Sequence, residues 1–125
     1  MAGDGHTVGE YIAALSSGDL AGVAARLHDD VVVTIPGRNV NSGVKRGKDE
    51  VLQMFGAMLE RSGGTMPVEI HDLLESDEHV VALVRRTIAG ADTRAAIVYH
   101  VRDGKIAEIW SHEGDQYALD EALGS

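Results

Sequence analysis

The sequence predicts an α+β fold, with N-terminal helices packed on one face of a strongly curved, mostly antiparallel sheet. Three observations predict it. Apolar residues recur at helical spacing through much of the first half of the chain. From residue 68 onward, β-branched runs are separated by short polar links. The last of those links, Asp103-Gly104, is a two-residue hairpin signal. Helices that come first and a meander that follows give segregated layers.

The elements follow in order. Thr7 and Glu10 have the spacing of a capping box, and Val8, Tyr11, Ile12 and Leu15 then share a helical face. Ser16-Ser17-Gly18 breaks that helix, and Asp19 caps a second one carrying Leu20, Val23, Ala24 and Leu27. His28-Asp29-Asp30 closes it. Residues 31–35 are a β-branched strand that Pro36-Gly37 ends, and 38–46 read as a polar loop. Gly47 opens a third helix with Asp49 and Glu50 in its first turn, where acids suit the dipole. Its apolar face carries Val51, Leu52, Phe55, Met58 and Leu59, and Ser62-Gly63-Gly64 ends it. Strands are expected at 68–74, 80–88, 95–101 and 106–110.

Composition narrows the function. The 125 residues suit one domain spanning 1–125. No cysteine is present, which excludes disulfides and thiol chemistry and leaves His and carboxylate as metal ligands. A net charge of −9 disfavours nucleic acid and anionic membrane as partners, and aromatics at 4% are too few for a base-stacking platform. No apolar run is long enough to cross a bilayer, and Met1 to His6 lacks the pattern of a secretory leader. The expectation is a cytoplasmic domain. The glycines form no phosphate-binding pattern, so no cofactor is expected.

Three stretches, in order, carry a resemblance. Tyr11-Ile12-Ala13-Ala14-Leu15 with Gly18-Asp19-Leu20 and Asp29-Asp30-Val31 resembles the opening of ketosteroid-isomerase-like proteins of the NTF2-like superfamily. Pro36-Gly37, Ser42-Gly43 and Gly47 resemble a loop of its SnoaL-like members. Asp103-Gly104-Lys105-Ile106 with Glu108 and Trp110 resembles their final hairpin. The resemblance implies an NTF2-like cone, also described as a cystatin-like α+β roll, in which helices and a bent sheet enclose an apolar pocket. Members include isomerases, polyketide cyclases and non-catalytic binding modules, so the fold does not select the reaction.

Ketosteroid isomerases combine a carboxylate base with an oxyanion hole built from a tyrosine and a protonated acid. The resemblance places the tyrosine at Tyr11 and the acid's position at Tyr99, each a possible donor to a developing oxyanion. Each is equally explained as a core tyrosine. The base's position holds Thr34-Ile35-Pro36, with no carboxylate, which counts against ketosteroid isomerase activity. SnoaL-like cyclases take an acid or base near the end of the last strand, where Asp115 and His112 are the nearest counterparts. Asp115 equally suits an N-cap, and His112 a solvent-facing strand residue. Alternation turns His71 outward and sets His100 opposite Tyr99. Arg85-Arg86 reads as a surface pair, or as one arginine turned inward to meet a carboxylate. Neither His112-Glu113 with Asp115 nor His71-Asp72 has the spacing of a metal site, so no metal is expected.

The function implied is acid–base chemistry on a small apolar carbonyl compound, of isomerase or cyclase type. Asp115 or His112 would move the proton, and Tyr11 and Tyr99 would polarise the oxygen. The alternative is a non-catalytic pocket protein or a dimeric interaction module. A homodimer through the outer face of the sheet is expected, from family habit and from strands apolar on both faces.

Overall fold

The structure, a computed structural model, describes residues 3–124. Met1 and Ala2, where the leader reading begins, and Ser125 lie outside the described residues. The elements are α1 (Asp4–Ser17), α2 (Leu20–Ala25), β1 (Leu27–Ile35), β2 (Gly43–Arg46), α3 (Lys48–Arg61), β3 (Val68–Glu75), β4 (His79–Ile88), β5 (Ala91–Arg102), β6 (Lys105–Glu113) and α4 (Gln116–Leu123). The strands form one six-stranded sheet in the order β2-β1-β6-β5-β4-β3. β1 and β6 run parallel, and every other neighbouring pair is antiparallel. This is the α+β roll of the NTF2-like, cystatin-like type.

Three register shifts help to bend the sheet. They fall between Leu27 and Val32 in β1, between Ile70 and Asp72 in β3, and at the His100/Val101 step between β5 and β6. Extra residues on one strand of a pair increase local twist and curvature. The concave face so formed receives Val8, Tyr11 and Ile12 of α1 and Val51, Met54, Phe55, Met58 and Leu59 of α3. Opposite them, the inward positions of β4 are Val80, Ala82, Val84 and Ile88, and those of β5 are Ala95, Ile97, Tyr99 and Val101. Period-two alternation is thus kept on β4 and β5, whose shared ladder runs from His79↔His100 to Ile88↔Ala91 without a register shift.

Several boundaries differ from the sequence reading, each for a local reason. Helix α1 begins at Asp4 with Gly3 as its N-cap, so Thr7 lies inside the helix and caps nothing. Asp19 does cap α2, accepting from Gly22 N–H at 2.9 Å. That helix is only six residues long, and Leu27 with His28-Asp29-Asp30 already belongs to β1. The three acidic and imidazole positions are tolerated there because they fall in the register break, where the ladder to β6 is interrupted. The expected loop 38–46 contains a short edge strand, β2, which pairs Ile35 with Gly43 through Val32 with Arg46. Its four residues carry no alternating apolar pattern, since the strand is largely exposed. The final hairpin turns at Asp103 and Gly104, with φ of 53° and 76°. Positive φ at both positions is what a type I′ turn requires.

The outer face of the sheet carries the alternate residues. Trp110 lies there, its ring edge-on to His79 at 5.9 Å, and His79 stacks on His100 at 5.2 Å. Among the described residues no helix is long and apolar enough to cross a membrane.

Candidate functional site

A cavity of about 80 Å³ lies between the concave face, α1, α3 and α4. Its walls are mostly apolar, and Leu119 and Leu123 of α4 close one side. Helix α4 is eight residues long. It is clipped down by Asn39 Nδ2 donating to Asp120 at 2.8 Å and by Val40 N–H donating to the Gly124 carbonyl at 2.8 Å. The Asn39 hydrogen bond is the main cause that holds the Asp120 carboxyl below its ordinary range.

Six residues of polar type are among the lining: Tyr11, Thr34, Arg86, Tyr99, Ser111 and Glu113. Tyr11 comes from the buried face of α1 and Tyr99 from an inward position of β5. Their rings meet edge to face at 5.7 Å, and Phe55 flanks Tyr11 at 6.2 Å. Burial raises the ionisation of both phenols well above the ordinary tyrosine value of 10.0, with Arg86 partly opposing the shift. Both therefore stay protonated and can donate at neutral pH.

Arg86 and Glu113 form a buried ion pair. Arg86 Nη2 lies 2.5 Å from Glu113 Oε2, and the two side chains are only 12% and 1% exposed. Arg86 takes the inward parity of Val80, Ala82 and Val84, so of the two arginines it is the one that turns in. Arg85 turns out and binds Asp92 at 3.0 Å. Glu113 shares parity with Ile109 and Ser111, at the end of a strand that runs three residues beyond the expected 106–110.

The parity that brings Glu113 in turns His112 out. His112 is exposed and lines a cleft on the outer face with His71, Arg85 and Arg94. Asp115 is exposed and caps α4, accepting from Ala118 N–H at 3.0 Å. The cavity lining therefore includes Tyr11 and Tyr99 but neither His112 nor Asp115. His100 faces outward, opposite Tyr99 in parity, and stacks on His79. Thr34, Ile35 and Pro36 do line the cavity where the resemblance puts a base, and they carry no carboxylate. The carboxylate comes from the neighbouring strand instead. Sequence reasoning does not place Glu113 in the cavity because it ends the last strand at Trp110, whereas β6 runs to Glu113. Counting on in twos from Ile109 would have found it. Among the described residues no group of three or more potential ligands is arranged to hold a metal ion.

Comparison with known proteins agrees with this architecture. A family model described as a SnoaL-like domain matches residues 8–109. An uncharacterized protein of Mycobacterium tuberculosis is 33% identical over 113 residues, covering 86% of each chain. Among solved structures, the Bal32a protein from a soil-derived mobile gene cassette superposes with a TM-score of 0.89 at 27% identity, covering 97% of this chain and 96% of that one. A protein of unknown function with a cystatin-like fold from Xanthomonas campestris gives a TM-score of 0.87 at 28% identity, covering 95% and 96%. The chain belongs to the SnoaL-like domain family, and it shares the fold of solved NTF2-like and cystatin-like proteins.

Proposed function

We propose that the chain is a cofactor-independent enzyme of isomerase or cyclase type, acting by acid–base chemistry on a small apolar carbonyl compound. One observation carries the reading: two neutral phenols and a carboxylate line the same mostly apolar cavity. Tyr11 and Tyr99 donate to the carbonyl oxygen as negative charge develops on it. Glu113 takes a proton from the substrate and returns it. Its Oε2 is held by Arg86, so Oε1 is the oxygen left for this task. Leu119 and Leu123 add apolar wall on the α4 side, and an apolar surround strengthens each of these interactions. The cavity is about 80 Å³, smaller than the engineered cavity of about 150 Å³ that holds benzene, so small substrates are favoured as it stands.

The reading is tested with butanone in D2O, followed by proton NMR. The protein is expected to accelerate exchange of the protons beside the carbonyl above the buffer rate. Binding without any acceleration would favour a second reading, a non-catalytic ligand pocket. The Arg86 contact favours that second reading, since it already engages Glu113 Oε2.

We further propose a homodimer through the outer face of the sheet. Ile70 and Leu74 are exposed there or at its β3 edge, and Trp110 is only half-buried. Light scattering is expected to give twice the chain mass of 13.3 kDa; a single chain mass would refute the dimer.

A further inference from the structure

Among the described residues, four buried side-chain polar atoms have no hydrogen-bond partner: Arg26 Nε, Arg86 Nε, Thr93 Oγ1 and Glu113 Oε1. Three of the four belong to one corner. Arg86 and Thr93 are directly opposite in the β4–β5 ladder. Glu113 faces Ala95 in the β5–β6 ladder, two positions along from Thr93 on the same face, and it holds Arg86 directly. Arg86 and Glu113 also line the cavity. Folded proteins rarely leave a buried donor or acceptor unmatched, because its desolvation is not recovered. Three neighbouring cases point to a missing partner.

We propose that this corner is a subsite for an uncharged oxygen function of the ligand, a hydroxyl, separate from the carbonyl held by Tyr11 and Tyr99. The proposal rests on reading the cavity as a small-molecule site. Its chemistry follows from the groups present. Arg86 Nε–H donates to the hydroxyl oxygen, and the hydroxyl donates to Thr93 Oγ1, which leaves Glu113 Oε1 for proton transfer. The charge is already balanced by the Arg86–Glu113 pair. A ligand carboxylate would face Glu113, and a ligand ammonium would face Arg86, so each brings an unpaired charge into a buried place. A neutral hydroxyl brings none.

NMR titration with three small ketones tests the subsite: butanone, 4-hydroxy-2-butanone and levulinate, the last carrying a carboxylate. The hydroxylated ketone is expected to bind about tenfold more tightly than butanone, and levulinate more weakly than either. Thr93→Val, close to threonine in shape, is expected to erase the preference, while Thr93→Ser keeps it. Equal binding of butanone and 4-hydroxy-2-butanone, a preference unchanged in Thr93→Val, or no binding of any of the three would overturn the subsite. The chemistry is read separately. Accelerated exchange without the hydroxyl preference leaves the proposed function standing and removes the subsite. A preference without exchange does the reverse.

Discussion

Arg86→Met is expected to destabilise the fold by roughly 3–5 kcal/mol, the usual cost of stranding one partner of a buried ion pair. The partner stranded is Glu113, whose side chain is 1% exposed, so water cannot replace the lost contact without opening the cone. Glu113→Leu alone strands the guanidinium in the same way. The double variant Arg86→Met, Glu113→Leu removes both charges together, and apolar groups of similar size then fill a mostly apolar wall. It is expected to lie close to the parent in stability or above it. Urea unfolding of the four proteins completes a double-mutant cycle, with the stability differences read from the midpoints at constant slope. Additive losses in the two single variants would mean that the pair is not coupled, and would remove Arg86 as the group that holds Glu113. The expected pattern also says why such a pair is kept: it costs stability relative to an apolar wall, so its retention is a sign of use rather than of strength.

Tyr99→Phe and Tyr11→Phe are expected to slow carbonyl-proton exchange about a hundred- to a thousandfold each, the usual loss on removing one oxyanion donor. Phenylalanine keeps the ring volume and the edge-to-face contact at 5.7 Å, so the fold is expected to survive both changes. Unchanged exchange rates in both variants would reduce the two residues to core packing. A pH measurement gives an independent reading of the same phenols. Both ionise well above 10.0 in the folded chain because they are buried. The folded protein therefore keeps two protons that the unfolded chain loses near pH 10, and stability is full below that pH and falls as pH rises above it. Each phenol contributes a slope of up to about 1.4 kcal/mol per pH unit in that window. Each phenylalanine variant is expected to flatten the alkaline limb of urea stability by one such contribution. A limb equally steep in the variants would mean that the rings are not buried as described.

Much of the scaffold is legible in the sequence. Long β-branched runs and short turns located β3 to β6, because those strands are central or paired along most of their length and their side chains must alternate. The same alternation separated Tyr99 from His100 correctly. Legibility failed where burial does not impose a pattern. Strand β2 is exposed and four residues long, so nothing in its composition marks it. The start of β1 lies in a register break, where period two is lost. The end of α1 followed the sequence, but its start did not, since Gly3 provides the N-cap by conformation rather than by a side chain. The polar half of the site was only partly legible: one of Arg85 and Arg86 turned inward to meet a carboxylate was an open reading, but residue type told neither which arginine nor that the carboxylate is Glu113. Arg86 and Glu113 look like surface residues by type, and only their parity with Val84 and Ile109 tells that they turn in. A pair of opposite charges that is invisible one residue at a time becomes readable when two strands are counted together.

Trp110 gives the molecule an optical property that follows from its place in the sheet. It is the chain's single tryptophan, and it sits on the outer face beside His79, across the sheet from the cavity. Its emission therefore samples the outside of the cone. A small ligand entering among Tyr11, Tyr99 and Glu113 would leave the indole spectrum largely unmoved, whereas a second chain laid on the outer face would shift it to shorter wavelength. One intrinsic fluorophore thus separates assembly from occupancy without any label.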